Sequence, residues 1–288
     1  MSDNITIAVY QGKILQGNAI ENLNKTIQQL EIAESKGVDI LCMPESFLHG
    51  YFESKNEAVN HSICLDSDEY RQLLGRLSRF KKTTLLLGVN EQYKNEIYNT
   101  VVVIEGGQHI GSYRKAYTYS PYDYFSLGKE FPIFEKKGVR YGIVICIDCM
   151  YQEPAHILAL KGAQIIFCPM FNKVKNDARM LNFLNSKSHF IARAFENESW
   201  FAASDIVWED DGKYICPGSA TIFNKNGEMV SVSIPFSESL LQYQIPLGML
   251  RDDSWEQTHY RRMLGNPDLR EILMIEYVKN TIINKGLL

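Results

Sequence analysis

Residues 141–169 read "YGIVICIDCMYQEPAHILALKGAQIIFCP". Two short apolar runs, 141–146 and 163–169, have the length and composition of buried strands. Between them Pro154 stands where the first turn of a helix tolerates it, and a helical stretch follows. The same alternation recurs outward along the chain. "ITIAVYQ" (5–11), "VDILCMP" (38–44), "TTLLLGV" (83–89), "YNTVVVIEG" (98–106) and "SWFAASDI" (199–206) predict further strands. Helices are predicted over Ile20–Ala33, where apolar residues fall at 20, 23, 27 and 30, around Tyr70–Phe80, and over 177–197. "GSATIFNKNGEMVSVSI" (218–234) reads as a hairpin closed by its Asn-Gly pair. Strands alternating with helices argue for an α/β layered fold.

The 288 residues are 45% hydrophobic and 22% charged, enough to bury a large core without metal or disulfide staples. No linker, low-complexity tract or solenoid-length repeat interrupts them. One domain is expected over 1–250, with 251–288 a C-terminal extension packing on the domain or on a partner subunit. The net charge of −4, with Lys and Arg scattered, excludes the basic footprint of a nucleic-acid binder. "MSDNITIAVYQG" has neither the basic start nor the apolar stretch of a signal peptide, and no run approaches the roughly 18 apolar residues of a membrane span. A soluble, cytoplasmic protein with reduced cysteines is therefore expected.

Three positions invite chemistry. Glu45 follows Pro44 directly after an apolar strand, Cys146 ends another, and Lys115 opens a long aromatic loop over 116–137. In α/β proteins ligands gather beyond the carboxyl ends of strands. Each residue alone has an ordinary reading: a capping glutamate, a surface lysine, a buried thiol. Together they make a coherent set. A free thiol near pKa 8.5 needs a base or a cation to become a nucleophile. Glu45 can act as that base toward the thiol and later toward water, and Lys115 can stabilise thiolate and oxyanion. The backbone N–H of Ile147 would supply a second oxyanion donor. None of the six histidines lies in a comparable strand-end setting.

In order, "GVDILCMPESFLHGY", "YRKAY", "GIVICIDCMYQE" and "IARAFEN" closely resemble the landmark segments of the nitrilase superfamily of carbon–nitrogen hydrolases. "YNTVVV" and "CPGSATIFNKNGEMV" resemble two secondary landmarks. The spacings, 70 residues from Glu45 to Lys115 and 31 from Lys115 to Cys146, are of that family's kind (115 − 45 = 70; 146 − 115 = 31). The resemblance implies a four-layer αββα sandwich pairing through its sheet-flanking helices into dimers or larger assemblies. It implies a Glu45–Lys115–Cys146 site, with no metal and no organic cofactor, that cleaves a non-peptide C–N bond through a Cys146 thioester. The family's additional loop acid is missing at Pro121, and Asp123 is the nearest candidate to replace it. Gln152 departs from the family's proline, and Glu153 is retained as a structural residue.

Ile147-Asp148 after the nucleophile looks like the amidase and carbamoylase branches rather than the nitrile-cleaving one. A small linear amide is the expected substrate, with an N-carbamoyl amine second. Cys149 and Met150 stand where some carbamoyl-amino-acid hydrolases carry arginines, leaving Arg179 or Arg193 to bind a carboxylate, and Arg193 reads better as structural. Tyr51, Tyr117, Tyr119, Cys149 and Met150 are candidates to line the pocket. The C-x-x-C spacing of Cys146 and Cys149 also fits a redox pair or half a zinc site. The chain is too long for a thioredoxin unit, however, and lacks a second closely spaced pair. A catalytically silent binding module on the same fold is the competitor from a different class.

Overall fold

The structure is a computed structural model that describes residues 3–118, 121–209 and 214–252. The first half runs β1 (Asn4–Gly12), α1 (Ala19–Ser35), β2 (Ile40–Cys42), α2 (Lys55–Asn60), α3 (Asp68–Leu77), β3 (Thr84–Tyr93), β4 (Glu96–Glu105) and β5 (Gln108–Arg114). The second begins with β6 (Phe134–Lys136), β7 (Val139–Ile143), a 3₁₀ turn (Cys146–Met150), α4 (Gln152–Leu160) and β8 (Ile165–Pro169). It continues through β9 (Val174–Lys175), α5 (Ala178–Ser186), α6 (Ser188–Glu196) and β10 (Trp200–Ile206). Five short strands close it: β11 (Trp208–Glu209), β12 (Tyr214–Cys216), β13 (Thr221–Phe223), β14 (Met229–Val232) and β15 (Ser239–Pro246).

Among the described residues the main sheet follows the order β5-β4-β3-β2-β1-β10-β8-β7-β6, with β13 and β14 continuing from β10 and β15 pairing with β1. From β3 through β2, β1, β10 and β8 to β7 the strands run parallel, and β4, β5 and β6 flank them antiparallel. The two halves meet at a short seam, where only Gln11–Asp205 and Gly12–Ile206 are in register. Beyond it they separate into two layers.

Side-chain alternation shows the layering. In β1, Ile7 and Val9 join Ile40, Val101, Ile143, Phe167 and Ala202 in a core that takes residues from both halves. Ala8 and Tyr10, on the other face, pack with Leu23 and Leu30 of α1 and with Leu73 and Leu77 of α3. In β8 the same period sends Ile165 and Phe167 into the shared core, and Ile166 and Cys168 against Leu158 of α4 and Phe190 of α6. Helices, sheet, sheet, helices is the αββα sandwich the sequence led us to expect. Each fully buried Leu, Ile or Phe contributes roughly 1.5–3 kcal/mol, so these three clusters carry most of the fold's stability.

Three boundaries differ from expectation. β7 ends at Ile143, so Cys146 starts the 3₁₀ turn rather than ending a strand. The helix expected over 177–197 is two helices, broken where Lys187 adopts φ 49°. The strand expected over 38–44 keeps its ladder only from Ile40 to Cys42. The extension expected over 251–288 lies, from residue 253 onward, outside the described residues. Among the described residues no helix is long and apolar enough to cross a membrane.

Candidate active site

β2 delivers Glu45. After Pro44 the chain turns sharply through Ser46, which sits at φ 48°, and its carbonyl accepts from His49 and Gly50 at 3.1 and 2.7 Å. Ser46 Oγ donates to Asn90 Oδ1 at 3.0 Å, and the Asn90 N–H donates to His49 Nδ1 at 3.1 Å, pinning the turn to β3. Close approach to β3 requires glycine at 88. A Cβ there would lie 2.5 Å from Pro44 O and from Ser46 N. β5 delivers Lys115, whose N–H extends the β4–β5 ladder to Asn99 O at 2.9 Å and whose carbonyl accepts from Gly128 at 2.8 Å.

Cys146 is held by a different device. Its φ of 46° lies in the left-handed region, a costly conformation for a residue with a Cβ. Asp148 fixes it: Oδ2 accepts from Ile145 N–H at 2.9 Å and from Tyr113 Oη at 2.8 Å, while Oδ1 accepts from Tyr117 N–H at 2.8 Å. One buried carboxylate thus ties the turn, β5 and the start of the aromatic loop together. Burial pushes its pKa up to about 6, against the pull of Lys115 and of those donors. The sequence reading used Asp148 only to mark a branch, whereas the structure makes it the knot of the site.

Lys115 Nζ and Glu45 Oε1 are 2.5 Å apart, with side chains 2% and 1% exposed. Burial is the largest influence and would push the Lys115 ammonium down, but Glu45, Tyr51, Cys146 and Asp148 together outweigh it, and Lys115 stays protonated. Tyr51 lies beneath, its ring centre 5.6 Å from Lys115 Nζ, and its ring also packs on Tyr122 at 4.4 Å and Phe171 at 5.3 Å. The Cys146 thiol is pushed up by burial and by Glu45. Lys115 and the backbone N–H of Phe171 pull the other way without cancelling that rise. At rest Cys146 is therefore a thiol, electrostatically coupled to the Glu45 carboxylate and the Lys115 ammonium.

Cys146 and Ile147 open into a cavity of about 530 Å³, within the size range of small-molecule sites. Its walls are Met150, Met170, Phe171, Val174, Met180, Phe183 and Leu184, with Asn172, Lys173, Lys175, Asp177, Arg179, His189 and Tyr214 as the polar part. Asn172 is anchored by Asp205, which accepts its N–H at 3.1 Å and its Nδ2 at 2.7 Å.

Several expectations need correction. Cys149 is fully buried and does not line the cavity. Its carbonyl accepts from Arg193 Nε at 2.9 Å, and its thiol, which burial would raise, is instead brought down by Cys168 and His189. All six cysteines are free thiols. Asp123 is exposed and stands apart from the cavity wall, so it is not brought to the site. Tyr117 stacks on Tyr151 at 4.2 Å rather than on the wall, and Tyr119 lies outside the described residues. Met150, at 45% exposure, does line the cavity. His189, which the sequence reading set aside with the other histidines, is part of the wall, stacked on Phe183 at 4.9 Å. Of α5 the sequence reading named Arg179, which does line the cavity, but not Met180, Phe183 and Leu184. Their only signal is helical spacing, which reads equally as ordinary core packing.

Among the described residues no group of three or more His, Cys, Asp or Glu side chains is arranged to hold a metal. With this geometry in place, comparison with known proteins is informative. A family model described as carbon-nitrogen hydrolase matches residues 6–254. The chain is 31% identical to the 2-oxoglutaramate amidase of Bacillus subtilis (strain 168) over 70% of its own length and 76% of that protein. It is 27% identical to a nitrilase of Pyrococcus abyssi over 81% and 86%. Among solved structures it resembles an amidase from Nesterenkonia sp. AN1 in complex with acrylamide, with a TM-score of 0.75 and 20% identity over 91% and 98% of the two chains. On the family match and the identity to its curated relatives, the chain belongs to the carbon–nitrogen hydrolase family of the nitrilase superfamily.

Proposed function

We propose that the protein hydrolyses a small linear amide through a covalent thioester on Cys146. The observation that carries this reading is the buried Glu45–Lys115 pair at 2.5 Å, electrostatically coupled to a thiol at the floor of the cavity. In the first step Glu45 takes the thiol proton as sulfur attacks the amide carbon. The oxyanion is met by the Lys115 ammonium and the Ile147 N–H. Collapse breaks the C–N bond, and Glu45 returns the proton to the departing ammonia or amine. Glu45 then deprotonates a water that attacks the thioester, and the acid leaves as Cys146 regains its proton.

The polar wall supports a finer reading. Lys175 and Arg179 outnumber the cavity's carboxylate, Asp177, whose Oδ1 is engaged by Met180 N–H as the cap of α5, while Lys173 lies 3.8 Å from Glu53. That balance favours an acyl group with an anionic far end, as the name of the Bacillus subtilis 2-oxoglutaramate amidase indicates for its own substrate. An N-carbamoyl acid is the second reading, and a Francisella tularensis relative named citrullinase supports it at 30% identity over 58% of this chain. Ammonia release should be measured across a neutral amide, a dicarboxylate mono-amide, a carbamoyl amino acid and a nitrile. Dicarboxylate mono-amides are expected to be turned over best, and Cys146→Ala is expected to abolish release. Unchanged release by Cys146→Ala would sink the thioester reading, and binding of an amide without any release would favour a silent binding module. We also propose self-association through α6, where Ile191 and Phe195 stand 38% and 65% exposed one helical turn apart.

A further inference from the structure

Asn99, within the "YNTVVV" stretch, has no role in the mechanism above. In β4 the row facing between the sheets is Ile97, Asn99, Val101 and Val103, apolar except for this residue. Asn99 is 1% exposed. Its Nδ2 donates to Glu45 Oε1 at 2.6 Å, and its carbonyl accepts the Lys115 N–H at 2.9 Å. Its Oδ1 is buried with no partner among the described residues. A side chain kept for packing alone would not bury an unpaired acceptor, because that costs free energy.

Both donors to Glu45 fall on the same oxygen. Lys115 Nζ at 2.5 Å and Asn99 Nδ2 at 2.6 Å occupy Oε1. We propose that Asn99 is a positioning residue that holds Glu45 and Lys115 in register through one backbone and one side-chain bond, so that Oε2 alone carries the proton to and from sulfur, amine and water. The Glu45 carboxylate, which can only accept, fixes the sense of the amide. Turned over, the amide would set an oxygen against the carboxylate.

The proposal rests on Glu45 being the base, and its test separates the two ideas. Asn99→Ala, the isosteric Asn99→Asp and Glu45→Gln are compared with wild type as full-length protein, at equal folded fraction by circular dichroism. Asn99→Ala is expected to lower kcat about tenfold to a hundredfold, the worth of one hydrogen bond to a charged group, with KM within about twofold. Asn99→Asp sets a second carboxylate against Oε1. The groups facing Glu45 are then that carboxylate from β4, Lys115 from the end of β5, Cys146 from the 3₁₀ turn and Tyr122 from the aromatic loop. The acid limb of the kcat profile is expected to move up by about one pH unit or more, because a like charge disfavours ionisation of the base. A residue that only packs β4 would leave that limb in place. If both Asn99 variants keep kcat and the acid limb within twofold and 0.3 pH units, on the order of assay scatter, while Glu45→Gln is inactive, the Asn99 inference alone is overturned. If Glu45→Gln keeps its activity, both fall.

Discussion

At the scale of single residues, the site sets a charge that is costly to bury against a thiol that resists ionising. Because burial and Glu45 hold the Cys146 thiol above its usual range, alkylation by iodoacetamide in the absence of substrate is expected to accelerate as pH rises beyond neutrality. A rate already at its plateau near pH 6 would show a preformed thiolate and remove the need for Glu45 as base. Lys115→Met leaves the Glu45 carboxylate buried without its cation. Loss of one partner of such a pair costs about 3–5 kcal/mol, so urea denaturation should show that loss together with lost turnover. Asp148 gives a stability signature of the opposite sign to a typical salt-bridged carboxylate. Its pKa is raised from 3.8 to about 6, so the folded protein binds its proton more tightly than the unfolded chain does. The stability this contributes is complete below about pH 3.8 and is lost as pH rises through about 6. Measured against Asp148→Asn, which cannot titrate, the wild type's relative stability is expected to fall by about 2 kcal/mol between pH 4 and 7. A flat difference would show that the carboxylate's three donors fully offset its burial.

At the scale of elements, Glu45 and Lys115 are placed at the ends of β2 and β5 by close backbone approach and backbone hydrogen bonds, and Cys146 by the Asp148 carboxylate. Gly88→Ala puts a methyl 2.5 Å from two backbone atoms of the turn that carries Glu45. It is expected to reduce kcat at least tenfold with the fold retained, on the order of one misplaced catalytic group, as read by steady-state kinetics beside circular dichroism. The strands and their facing were legible in the sequence because period-2 alternation and apolar runs report burial directly. Glu45 and Cys146 drew notice because each follows such a run and Lys115 because it opens the aromatic loop, and the family resemblance joined the three into one candidate set. The break at Lys187 was not, since no glycine or proline marks it and apolar residues continue at helical spacing on both sides. Neither was the true start of the turn at Cys146. Val144 still bonds to Phe167 O at 2.9 Å and Ile145 is fully buried, so composition carries the strand pattern past the ladder's end. His189 and Asn99 escaped for a related reason: a polar residue inside an apolar pattern does not announce what it faces.

At the scale of the whole molecule, the shared core between the two sheets and the two helical clusters account for the rigid parts, and α6 carries an exposed apolar face beyond them. If that face joins two copies, Phe195→Asp should shift the mass seen by light scattering toward the monomer at equal concentration. An unchanged mass would remove α6 from any interface. The break at Lys187 divides labour in another way. Phe190 and Ala194 of α6 are built into the core cluster shared with α4 and β8. Leu184 of α5 belongs instead to a small separate cluster with Val174 and Ile215, and Met180 and Phe183 pack there too. The segment that shapes one side of the cavity is therefore packed largely outside that cluster, meeting it where Phe183 stacks on His189. Over evolutionary time residues 174–186 can drift, or be exchanged between relatives, without rebuilding the strands and turns that carry Glu45, Lys115 and Cys146. A chimera carrying another relative's version of that segment should change which amide is preferred while Cys146 keeps its own alkylation rate.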